Sequence, residues 1–157
     1  MNWKNLFSAD KRTLFGTGTL CGIIIVVVIA SLYTASGSPY LCGSCHSMSH
    51  VYKRWKVSPH KQFSCTDCHL PSAHLPEKLA YKSRAGSHDL VYETMRIYPA
   101  AILLSAEGRE IVNGNCVRCH SSTIEKTPMA GITVDCTRCH RYLVHGRGLE
   151  KGGISVE

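Results

Sequence analysis

After residue 40 the sequence lacks the long periodic apolar segments from which a helical core is normally assembled. It also lacks spare cysteines. Of nine, eight fall into one repeated pattern, and only Cys21 lies outside it, in an apolar run that suits a buried, inert thiol. A disulfide framework is thereby excluded. No Asp, Glu, Lys or Arg occurs between Thr13 and Tyr52. Acidic residues are few, 11 against 18 basic ones, for a formal charge of +7. A chain of 157 residues with so thin a core needs another staple.

What is present is Cys-x-x-Cys-His, four times. The copies begin at Cys42, Cys65, Cys116 and Cys136, pair with Cys45, Cys68, Cys119 and Cys139, and end in His46, His69, His120 and His140. This pattern reads as c-type haem attachment, two thioethers holding each porphyrin beside a histidine that can ligate iron. A zinc ribbon also uses cysteine pairs, but does not require a histidine directly after each second cysteine. Four covalent macrocycles then form the core, wrapped by a thin protein shell. The positive charge offsets anionic haem propionates, which explains it better than nucleic-acid binding does.

Lys4, Lys11 and Arg12 precede an apolar segment from Leu14 to Tyr33, centred on the unbroken run from Ile23 to Ala30. About 20 apolar residues span a bilayer as a helix. The leading basic residues predict a cytoplasmic N-terminus and an exported remainder. Thr34-Ala35-Ser36-Gly37 resembles a cleavage site, but a signal h-region runs only about 7–15 residues, so an uncleaved anchor is expected. Export agrees with haem attachment, since c-type cytochromes mature outside the cytoplasm. The divisions are a cytoplasmic N-terminus over 1–12, a transmembrane helix over 13–35 and a periplasmic domain over 36–157. The short link to Cys42 predicts a first haem at the membrane surface.

Ser58-Pro59 is expected to end any helix before the second motif. Between His69 and Cys116 lies the one long helical region, starting near Pro76. Leu79, Tyr81, Leu90, Val91, Ile97 and residues 100–104 give it an imperfect apolar stripe, which Gly86 and Pro99 are expected to interrupt. It can lie on a membrane surface or pack on haem. The tail after His145 is glycine-rich and expected to fray. The fold class is mainly α: a single N-terminal transmembrane helix plus a small, haem-packed multihaem cytochrome c domain with little regular secondary structure.

Four irons need up to eight axial ligands. Besides the motif histidines, His50, His60, His74, His88 and His145 remain. His60 and His145 are candidate distal ligands that cross to neighbouring haems. In the first motif Met48 follows His46 by two residues and competes with it for one face. Thioether ligation raises a haem potential relative to two histidines. Met48 packing without ligation is an equal alternative on the residues alone.

The single anchor, the four motifs and Cys-His-Ser-Met at the first one resemble the NapC/NirT/NrfH family of membrane-anchored multihaem quinol dehydrogenases. The Ser-Pro-His60 segment, Tyr81-Lys82, Gly86-Ser87-His88-Asp89 and the His145 ending are most similar to its members that serve cytochrome c nitrite reductase. The resemblance implies that Met48 binds the first iron, with Asp89 over its open face and Lys82 lining a quinol pocket. It implies pairs of His120 with His145 and of His140 with His60. It further implies that His69 shares the second haem with a lysine of a catalytic partner. His74 matches no family role, and His50 and His88 read as surface residues.

The expected protein is a quinol-oxidising cytochrome of the inner membrane. It carries four haem c groups and takes menaquinol as substrate. Electrons leave to a periplasmic reductase, with cytochrome c nitrite reductase first and nitrate reductase behind. Asp89 is the expected general base and Lys82 the orienting cation. The rival readings are a non-enzymatic electron relay and a haem-based sensor.

Overall fold

The computed structural model describes residues 10–97, 102–131 and 134–146. The residues before Asp10, Pro99 and the tail beyond Gly146 lie outside them. The chain divides into two units, residues 1–36 and 37–157.

The first unit is one helix, α1, Lys11–Ala35. At 1.5 Å per residue, 25 residues reach about 38 Å, enough for a hydrocarbon layer of about 30 Å. Its mean hydropathy is 2.3, and among the described residues it is the one helix long and apolar enough to cross a membrane. Its hydroxyls are satisfied internally: Thr17 donates to the Thr13 carbonyl at 2.9 Å and Thr19 to that of Phe15 at 2.9 Å. Neither of these two hydroxyls is left as a lone donor facing an apolar surrounding, where it would cost several kcal/mol. Cys21 is exposed rather than buried. A solitary helix has no neighbouring element to cover it.

The second unit contains α2 (Pro39–Ser44), α3 (Ser49–Val57), α4 (Cys65–His69), α5 (Leu75–Met95), α6 (Ala106–Ile124), a 3-10 turn (Pro128–Gly131), α7 (Cys136–His140) and α8 (Tyr142–His145). No strand occurs among the described residues. The α2–α3, α4–α6, α3–α8 and α6–α7 pairs pack together. As Pro59 requires, α3 stops at Val57, and Pro76 sits in the first turn of α5.

Gly86 does not interrupt α5, which runs through it unbroken. A glycine inside a helix costs only about 1 kcal/mol against alanine, too little to break 21 residues. The helix ends instead at Arg96, in the left-handed conformation (φ 55°). Leu79, Leu90 and Val91 of the apolar stripe are exposed, and residues 102–105 are irregular.

Among the described residues no apolar side chain is buried; the buried side chains are those of Ser47, Ser58 and Asn115. A domain of this size cannot hold together on such packing. Something other than packed apolar side chains must hold it, which agrees with the covalent haem that the repeated Cys-x-x-Cys-His implies.

Candidate haem cradle and proton site

Three motifs present their cysteines on helices. The second occupies all of α4, and Asp67 accepts the Ser64 amide at 2.7 Å to fix its start. The fourth occupies α7, seated by Asp135. That carboxylate accepts from the Thr137 hydroxyl (2.7 Å), Asn113 Nδ2 (3.1 Å) and the Arg138 amide (3.2 Å), with Arg109 at 3.3 Å. The Thr137 and Asn113 bonds hold its carboxyl down at about 2. The third lies inside α6, which loosens only at His120 (φ −107°, ψ 17°). Just before it, Asn115 donates to the Cys68 and Leu70 carbonyls, each at 2.8 Å, and so ties the third motif to the end of the second.

The first motif differs. Helix α2 ends at Ser44, and Cys45 is extended (φ −69°, ψ 140°). Its histidine therefore leaves the helix. The second position of this motif is Gly43, where the others carry Thr66, Val117 and Thr137. A Cβ at Gly43 would fall inside the Tyr52 side chain. Tyr52 in turn stacks on Trp55, with ring centres 5.7 Å apart.

The thiols adjoin in sequence order. Cys42 lies within hydrogen-bonding reach of Cys65 and Cys116 within that of Cys136, while Cys68 lies within the electrostatic reach of both Cys116 and Cys119. Motifs one to four thus form a row. None of the nine cysteines is in a disulfide.

Two histidine pairs face each other across gaps. The His60 and His120 rings lie 6.1 Å apart, and so do those of His69 and His145. A metal ion bound at about 2 Å by each of two imidazoles sets their ring centres roughly 6 Å apart. The buried Nδ1 atoms of His60 and His145 have no protein hydrogen-bond partner, although the His145 ring also bonds the Val51 backbone. Burial pushes the His145 imidazole down to about 4, and His69 nearby pushes the same way. It is thus neutral at pH 7, the form that ligates metals. These residues fit haem iron.

A profile of the N-terminal region of the NapC/NirT cytochrome c family matches residues 8–142. The chain belongs to this family. It is 34% identical over 139 residues to cytochrome c nitrite reductase subunit NrfH of Nitratidesulfovibrio vulgaris, covering 88% of this chain and 86% of that one. It is 31% identical over 141 residues to the cytochrome c-type protein NrfH of Wolinella succinogenes, covering 80% of each. Among solved structures, it matches a chain of the cytochrome c nitrite reductase NrfHA complex bound to the HQNO inhibitor. That match has a TM-score of 0.77 and 32% identity, over 92% of this chain and 98% of that one.

The histidine rings that lie together are not the pairs that the family resemblance implied. His145 faces His69 rather than His120, and His60 faces His120 rather than His140. The cause is the packing of α8 on α3, which keeps His145 close to residues 50 and 51 and beside the second motif. His69 therefore has an intrachain partner ring. His140 is exposed, and no ring of the described residues is paired with it.

Lys82, Gly86, Asp89 and Glu93 follow at helical spacing along one face of α5. Lys82 and Asp89 both act electrostatically on Cys42, which brings this face to the first motif. Nothing stands within 4 Å of a Cβ placed on Gly86, so the face is notched between them. Burial lowers the Lys82 ammonium below its ordinary value, opposed by Cys42. His88 Nδ1 lies 3.4 Å from Asp89 Oδ1, and its ring stacks on Tyr92 at 4.1 Å. His74 is exposed at the start of α5. His50 has a buried Nε2 without a protein partner, which its surface reading did not foresee.

Sequence reasoning missed Glu93, Asn115 and Asp135. The glycine unique to the first motif was the one available sign that its surroundings differ.

Proposed function

We propose that this chain is the membrane-anchored quinol dehydrogenase subunit of a respiratory complex. It passes electrons from menaquinol through four haem c groups to a periplasmic cytochrome c nitrite reductase. The reading is supported above all by the likeness, over nearly the whole chain, to a subunit of the NrfHA complex. The basic N-terminus and the apolar α1 support a single-pass anchor in the inner membrane with the haem unit outside.

Haem c, when bound, supplies one-electron oxidation and reduction at a potential set by its axial ligands. Cys42, Cys45, Cys65, Cys68, Cys116, Cys119, Cys136 and Cys139 hold the four groups. Met48 would serve the first iron, His69 with His145 the second, and His120 with His60 the third. His140 would serve the fourth, with a further ligand supplied by the catalytic subunit. The partner's lysine, which the resemblance placed on the second haem, belongs on the fourth by this assignment.

Asp89 is the base that receives a quinol proton. Its carboxylate is exposed on α5 and acts on Cys42 of the first motif. His88, beside it, takes the proton onward to solvent. Lys82, at the other end of the notch, orients the quinol oxygen and stabilises its developing negative charge. Gly86 leaves the room between them.

The test is menaquinol oxidation by the detergent-solubilised complex with its native partner. Intact mass should exceed the chain by four haems, and nitrite should be the terminal acceptor. A four-haem complex that reduces nitrite from an artificial donor but never oxidises menaquinol would leave a pure electron relay.

A further inference from the structure

The first motif departs from the other three at one bond. In a helical Cys-x-x-Cys-His, the first cysteine and the histidine are four residues apart and share a face. The His46 amide would then close the turn onto the Cys42 carbonyl. Here the extended Cys45 breaks that turn. The freed amides go elsewhere. Glu93 Oε1 accepts from the His46 amide at 2.5 Å and from the Ser47 amide at 3.3 Å, and Glu93 Oε2 accepts from the Ser47 hydroxyl. Ser47 is 5% exposed, and the three bonds join residues 46 or 47 positions apart in the chain.

The consequence falls on the side chains. The His46 side chain is exposed, as are those of His69, His120 and His140, so what sets it apart is the backbone at Cys45 rather than its exposure. The chain then turns tightly, the Met48 amide donating to the Cys45 carbonyl at 3.2 Å, and Met48 is returned to the inner side, half-buried.

We propose that Glu93 is the positioning residue that selects the axial ligand of the first haem. By capturing the His46 and Ser47 amides it keeps the motif out of the helical form that presents its histidine, and so hands the iron to Met48. The proposal rests on the reading of these motifs as haem sites. It assigns the ligand exchange to α5, the helix that also carries Lys82 and Asp89. One helix face thereby sets both the ligand of the first haem and the proton chemistry beside it.

The experiment uses the purified four-haem protein and the near-infrared thioether-to-iron charge-transfer band, read by magnetic circular dichroism, with haem number and potentials measured alongside. Wild type shows the band. Glu93→Ala loses it while retaining four haems, and the first-haem potential falls because imidazole replaces thioether. Glu93→Ala combined with His46→Ala recovers the band, since the competitor is gone. Glu93→Gln keeps it, because the amide oxygen accepts the same two N–H groups. His46→Ala alone changes an exposed side chain, does not threaten folding, and leaves band and potential unaltered. The band persisting at full intensity in Glu93→Ala overturns the selection by Glu93 and leaves Met48 as ligand. So does its disturbance in His46→Ala. Its absence from wild type overturns the Met48 assignment and the selection together.

Discussion

Replacing Asn115 tests whether the row of motifs is held by single polar contacts rather than by an apolar core. Asn115 is 5% exposed, and both its contacts come from Nδ2, at 2.8 Å to the Cys68 and Leu70 carbonyls. Those carbonyls belong to the last turn of α4, where a helix has no internal donors left. Asn115→Ala removes two hydrogen bonds worth about 1 kcal/mol each and strands two partly buried acceptors. The expected loss is about 2–4 kcal/mol. With a urea slope of about 1–3 kcal/mol per molar, the unfolding midpoint of the four-haem protein falls by about 0.7–4 M, read by far-ultraviolet circular dichroism. Asn115→Asp sharpens the test. It preserves size but has no donor, and it sets a carboxylate against two carbonyls, so it is at least as damaging as alanine. A loss below about 0.5 kcal/mol in both variants, the range of ordinary surface changes, would refute the reasoning.

Asp89→Asn retains four haems and partner binding but loses proton acceptance, so menaquinol oxidation falls by about 100-fold or more. Lys82→Leu acts in the same direction, while an artificial donor to the later haems still supports nitrite reduction in both. Gly86→Leu fills the notch and raises the KM for menaquinol without altering haem spectra, whereas Gly86→Ala is neutral or stabilises α5 by up to about 1 kcal/mol. Gly43→Ala forces a methyl into Tyr52, costs about 1–3 kcal/mol, and is partly rescued by Tyr52→Ala, seen in thermal melts of the holoprotein. Asp135, held at about 2 when folded against 3.8 otherwise, contributes stability above about pH 4 that is lost as pH falls towards 2. Asp135→Asn flattens that part of the acid unfolding curve.

The apolar anchor helix and the cytochrome c family were legible because each depends on local chemistry. A membrane span is read from unbroken apolarity, and a haem site from thiols beside a histidine. The stop of α3 before Pro59 and the start of α5 near Pro76 were legible for the same reason, since proline acts on its own residue and its neighbour. Gly86 misled because a propensity was read as a break. Its cost is spread over a long helix, and its use lies in the space it leaves. Which histidine rings come together was out of reach, because ring proximity is a tertiary fact. Nothing in the spacing of His60 and His145 states that α8 packs on α3. Glu93 was hidden more deeply, as one acidic residue on an exposed helix whose partners are two backbone amides of another loop.

The notch on α5 and the broken turn at Cys45 belong to one mechanical arrangement. Glu93 sits four residues beyond Asp89, so any shift of α5 that moved the base would also pull on the His46 and Ser47 amides. Glu93 therefore fixes the register of the base against the first motif as well as the ligand. A loop held only by its own turn would let the two drift apart, because among the described residues no buried apolar side chain keeps α5 in place. The charge-assisted bonds of Glu93 are stronger than neutral ones by roughly a factor of two. They stand where a larger domain would use packed side chains. The cost of giving up the histidine's helix is thus offset at the same carboxylate that aligns the proton acceptor, and quinol oxidation needs both at one haem.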